Sequence, residues 1–81
     1  MFKIYTTNYC PYCKKAKELL TSLGLAFEEI DVTENTQARD EASKKSGGWM
    51  TVPMIFRNEE FLGGFDDIYR LHLEGKLLEI L

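Results

Sequence analysis

Two cysteines in the segment Cys10-Pro11-Tyr12-Cys13 lie between a short alternating apolar run and a helical run, and the chain has no other cysteine. This placement constrains the fold more than any other feature, because a strand must end and a helix must begin at the thiol pair. Pro11 suits the first helical turn, where its missing N–H costs nothing. The first helical amides have no intrahelical partners and point at the N-cap, the position Cys10 would hold. Those N–H groups and the helix dipole favour a thiolate, and such surroundings lower a cysteine pKa from about 8.5 into a range of about 3.5–7.5. Lys14 and Lys15 add positive potential. Cys10 is therefore expected to attack and Cys13, within the first turn, to resolve.

Sulfurs at this spacing can close on each other, so the pair can cycle between dithiol and disulfide. The rival uses of two cysteines fit less well. A zinc site needs about four ligands, and beyond the pair there is only His72 with carboxylates. Residue 14 is Lys, so the haem-attachment pattern with His after the second Cys is absent. A structural disulfide across so short a loop would gain little, because the gain grows with loop length.

The other elements follow from periodicity. Met1 to Thr6 alternates as a strand, with Phe2 and Ile4 on one side. A helix runs from Cys10 or Pro11 to about Leu23, burying Cys13, Ala16, Leu20 and Leu23, with Leu19 beside them; Lys14, Lys15, Lys17 and Glu18 face water. Gly24 stops it. Phe27 to Val32 is a second strand, and Thr36 to Ser46 a polar helix that buries Ala38 and Ala42. Val52 to Arg57 is a third strand, turned at Asn58-Glu59 into a fourth, Glu60 to Leu62. Gly63-Gly64 opens a helix from about Asp66 to Glu74, and Lys76 to Leu81 is expected to form a short terminal helix. Strand–helix–strand followed by helix, hairpin and helix predicts an α/β fold with a four-stranded mixed sheet and helices on both faces.

With 81 residues the chain is expected to be one domain, 1–81. Its 44% hydrophobic content excludes disorder, and a net charge of −3 disfavours nucleic acid, which needs a clustered basic surface. No apolar run approaches the roughly 20 residues that span a bilayer. The first residues lack the apolar segment of a secretory signal, which points to a cytoplasmic, reducing location where paired cysteines are usually catalytic.

The thiol motif, together with Thr51-Val52-Pro53 and Gly63-Gly64-Phe65-Asp66-Asp67, resembles the glutaredoxin family of the dithiol, Cys-Pro-Tyr-Cys type, and the likeness covers the whole chain. The resemblance implies a thioredoxin-like fold with three main helices and the short terminal one. It also implies a glutathione-dependent disulfide oxidoreductase acting on protein–glutathione mixed disulfides and protein disulfides. Carried over, Cys10 is the nucleophile and Cys13 the resolving thiol, with Pro11 and Lys14 supporting the thiolate. Tyr12, Thr51, Val52 and a cis Pro53 would line the glutathione groove. Near Gly64, the Phe65 and Asp66 amides would take the γ-glutamyl carboxylate, and Asp66 or Asp67 its ammonium group. Taken singly, Thr51-Val52-Pro53 also reads as a plain strand entry, and Gly63-Gly64 before two aspartates as an ordinary helix start. His72 reads as a helix-surface or core-flanking residue, and Tyr9 as groove rim or packing.

Two positions depart from the family pattern. Thr7 and Met50 stand where many members carry lysine and arginine that hold the glycyl carboxylate. Lys14, Lys44 or Lys45 are the candidate substitutes, and Trp49-Met50 offers a protein contact or packs on the second helix. No tightly bound cofactor or metal is expected, glutathione being a co-substrate of a monomer. The departures favour a rival: a protein-disulfide reductant recycled by thioredoxin reductase, for example a donor to ribonucleotide reductase. An iron–sulfur carrier, with Cys10 and glutathione as ligands, is a further alternative.

Overall fold

The computed structural model describes residues 1–77. Strand β1 (Phe2–Thr6) leads to helix α1 (Pro11–Ser22), β2 (Phe27–Asp31), α2 (Thr36–Lys45), the hairpin β3 (Met54–Arg57) and β4 (Glu60–Gly63), and α3 (Phe65–Leu73). The four strands form one sheet in the order β2-β1-β3-β4. β1 and β2 are parallel, whereas β3 runs antiparallel to both β1 and β4, so the sheet is mixed as expected.

Strand alternation builds two cores. Phe2, Ile4 and Ile55 project to one face and pack with Ala16 and Leu20 of α1, Ile68 of α3, and Leu77. Tyr5, Met54 and Phe56 project to the other, against Ala42 of α2 and Val32. Within α1, Cys13, Ala16 and Leu20 are the buried stripe, at the i, i+3, i+7 spacing of one helix face. Leu23 is only partly buried, and as the C-cap it lies just outside the helix.

The strand expected from Val52 begins at Met54, because Thr51 and Val52 form a bend and Pro53, which has no N–H to donate, precedes the first paired residue; the Val52–Pro53 peptide bond is cis. The third helix begins one residue early, at Phe65. Lys76 and Leu77 are not helical, and the rest of the expected terminal helix lies outside the described residues. No described helix is long and apolar enough to cross a membrane.

Candidate active site

The loop between β1 and α1 delivers Cys10 to the N-cap of α1 in an extended conformation. Its sulfur accepts the Cys13 N–H at 3.1 Å, an N-cap bond made by a thiol in place of the usual hydroxyl or carboxylate. The Cys10 S–H donates to the Val52 carbonyl at 3.7 Å, across 42 positions of sequence. Cys10 is half-buried, whereas Cys13 is 1% exposed. Burial, followed by the hydrogen bond with Cys10, pushes the Cys13 thiol up to about 12; the Thr7 backbone and the charge of Lys17 act the other way. Cys13 is thus protonated at neutral pH, and the two thiols differ in access.

Antiparallel pairing sets Tyr5 opposite Met54, so the segment before β3 runs alongside the loop that follows β1. The result is a groove of about 410 Å³ lined by Tyr12, Trp49, Thr51, Val52, Pro53, Gly64, Phe65, Asp66 and Asp67. All eight residues that the resemblance assigns to glutathione meet there, drawn from three separate segments. Tyr12, 53% exposed, has Phe65 6.2 Å away between ring centroids, and the Lys15 ammonium sits 5.1 Å over its ring. Trp49 packs edge-on against Phe61 at 5.3 Å, while Met50 is 74% exposed. The first amides of α3 lack intrahelical acceptors, which makes this end of the groove suited to an anion.

A second groove, of about 490 Å³, opens on the other side of the thiol pair. Cys10 at the N-cap and Pro11, Cys13, Lys14 and Lys17 of α1 line it, with Tyr9 and Thr7 from the loop and Glu29 from β2. Lys14 therefore stands away from the first groove, and Lys44 and Lys45 lie exposed in the last turn of α2, lining neither. Arg39 of α2 went unnoticed in the sequence. It donates to the Met50 carbonyl at 3.2 Å, bringing a guanidinium beside the strand entry. Lys17, expected to face water, is instead partly buried and bonded to Glu29 at 2.9 Å. Polar spacing on a helix does not reveal a partner on a strand. His72 is partly buried with its ring 6.3 Å from Tyr69, and it lines neither groove. Among the described residues, no three His, Cys, Asp or Glu side chains gather as metal ligands.

Residues 2–62 match the sequence model of a family described as glutaredoxin. Glutaredoxin 1 of Rickettsia typhi is 48% identical over 79 residues, covering 96% of this chain and 76% of the relative. Glutaredoxin 3 of Escherichia coli K12 is 44% identical, covering 98% and 94% respectively. Among solved structures, a glutaredoxin from Brucella melitensis superposes with a TM-score of 0.84 at 44% identity, covering 99% of this chain and 86% of the other. A buckwheat glutaredoxin solved as a glutathione complex gives a TM-score of 0.88 at 26% identity, covering 99% and 74%.

Proposed function

The chain belongs to the glutaredoxin family, a thiol–disulfide oxidoreductase with a thioredoxin-like fold, and on that premise we propose that it uses glutathione to reduce protein–glutathione mixed disulfides and protein disulfides. One observation carries the proposal: a groove lined by Tyr12, Thr51, Val52, Pro53 and the start of α3 runs up to Val52, whose carbonyl accepts the Cys10 S–H at 3.7 Å. The backbone of Val52 would pair with the cysteinyl unit, and the start of α3 would hold the γ-glutamyl carboxylate, with Asp66 or Asp67 facing the ammonium. Arg39, tethered one residue before Thr51, supplies a cation for the glycyl carboxylate where Thr7 and Met50 do not. The relative solved with glutathione supports this reading.

The Cys10 thiolate attacks the glutathione sulfur of the mixed disulfide. The protein sulfur leaves with the bonding electron pair and takes a proton, and Cys10 keeps the glutathionyl group. A second glutathione then reduces Cys10, or Cys13 displaces the glutathionyl group and closes the internal disulfide. Thiolate fraction, nucleophilicity and leaving-group pKa govern each exchange.

The exposed, uncharged Met50 at the groove edge favours a second reading, in which the substrate is a protein disulfide and the reductant thioredoxin reductase. Stopped-flow turnover of a glutathionylated peptide separates the two. Saturable acceleration by glutathione supports the proposal; no acceleration, with rapid reduction by thioredoxin reductase, supports the rival.

A further inference from the structure

We propose that Lys17, held by Glu29, is a positioning residue for the charge on the Cys13 sulfur and so controls the two-thiol branch of the reaction without acting on the one-thiol branch. This rests on the reading of Cys13 as the resolving thiol. Lys17 follows Cys13 by four positions on α1, which makes their side chains neighbours on one helix face. Both line the second groove. The Lys17 ammonium donates to Glu29 Oε2 at 2.9 Å, and the same oxygen accepts the Thr6 hydroxyl at 2.7 Å, so the cation is moored to the sheet. The hydrogen bond from Lys17, then that from Thr6, holds the Glu29 carboxyl below its usual range. The titratable side chains around this groove are Cys10 at the N-cap of α1, Cys13, Lys14 and Lys17 from α1, Tyr9 from the loop and Glu29 from β2, and Asp31 at the end of β2 also faces Lys17 and Glu29. Of these, Lys17 is the cation that opposes the upward push on Cys13.

In the two-thiol branch Cys13 gives its proton to solvent and attacks the Cys10 sulfur. The Cys10–Cys13 bond forms, and the bond from Cys10 to the outgoing sulfur breaks. That sulfur leaves with the electron pair and is protonated, so one disulfide is exchanged for another: Cys13 passes from thiol to disulfide as the outgoing sulfur passes from disulfide to thiol, and Cys10 stays in a disulfide throughout. In the reverse direction an incoming thiolate attacks Cys10, and Cys13 departs with the pair. Either way negative charge resides on Cys13 beside Lys17. In the one-thiol branch Cys13 stays a thiol, so Lys17 meets no charge on that sulfur.

The test uses the full chain loaded with glutathione at Cys10, following glutathione release by Cys13 against pH. For each pKa unit gained by Cys13, the thiolate fraction falls tenfold while nucleophilicity partly recovers, a net slowing of about three- to fourfold. Lys17→Met is expected to slow release by about that factor per unit and to move the pH midpoint upward, and Lys17→Arg to restore both. Glu29→Gln, which removes the neutralising carboxylate, is expected to speed release. In a Cys13→Ser background, Lys17→Met is expected to leave deglutathionylation of a peptide by glutathione unchanged. Equal slowing of both branches, an unmoved midpoint, or no restoration by arginine overturns the inference. A wild-type protein that releases no glutathione through Cys13 overturns the resolving role instead, which keeps the two failures apart.

Discussion

The Asp67 carboxylate accepts the Gly64 N–H at 2.9 Å and fills the space that a side chain on Gly63 would need. A Cβ on Gly63 would sit 2.4 Å from Asp67 Oδ2, at a φ of +116° that favours glycine in any case. Asp67 thus builds the start of α3 as well as lining the groove, whereas Asp66 is exposed and makes no such bond. Asp67→Ala is expected to cost about 1 kcal/mol as a lost cap, and Asp66→Ala less than about 0.5 kcal/mol, in urea unfolding. Equal losses would contradict the separate structural role of Asp67.

The unequal thiols make alkylation stoichiometry informative. With Cys13 buried and pushed up to about 12, iodoacetamide at pH 7 is expected to label one thiol per native chain. Peptide mapping should find the label on Cys10, and Cys10→Ser should abolish it. Comparable labelling of both positions would show that Cys13 is neither shielded nor protonated as described.

Serine replacements separate the two steps. Cys10→Ser is expected to abolish deglutathionylation outright. Cys13→Ser is expected to retain much of it while losing reduction of protein disulfides that require a second thiol. Assays on a glutathionylated peptide and on a protein disulfide, run side by side, check this, and equal loss in both variants would refute the division of labour.

Arg39→Gln removes the cation tethered beside Thr51 but leaves the thiols alone. A lost charged hydrogen bond of about 1.5 kcal/mol corresponds to roughly a tenfold rise in KM for a glutathionylated peptide. The value of kcat should stay near that of the parent protein. An unchanged KM would remove Arg39 from glutathione binding.

Glu29 sets an acid-side dependence. Its folded pKa is depressed, so its contribution to stability is present above the ordinary value of 4.5 and disappears as pH falls through the folded value. The pair with Lys17 is more than a third exposed, which limits the effect to about 1 kcal/mol or less. The stability gap between parent and Glu29→Gln in denaturant melts should therefore close as the pH is lowered from 6 to about 3. A gap that persists at low pH would show that the Glu29 charge is not its source.

Much of this was legible in residues that are close together along the chain. Alternation at Phe2 and Ile4, the Cys13-Ala16-Leu20 stripe and the capping position of Cys10 each depend on neighbours within one element, where backbone geometry alone dictates which side chains share a face. Lys17 and Arg39 were misread or missed for the converse reason. Each looks like one more solvated cation until β2 and the Met50 carbonyl are placed beside it.

By itself, the order of residues determined that a strand would end and a helix begin at a pair of thiols, because caps and periodicity are local, short-range effects. Which thiol is shielded, how three distant segments close into one groove, and which lysine of α1 is moored to β2 were decided only by tertiary packing. The antiparallel placement of β3 against β1 brings Val52 to Cys10. Contacts of that range depend on how whole elements bury their apolar faces, which no single stretch of the chain encodes.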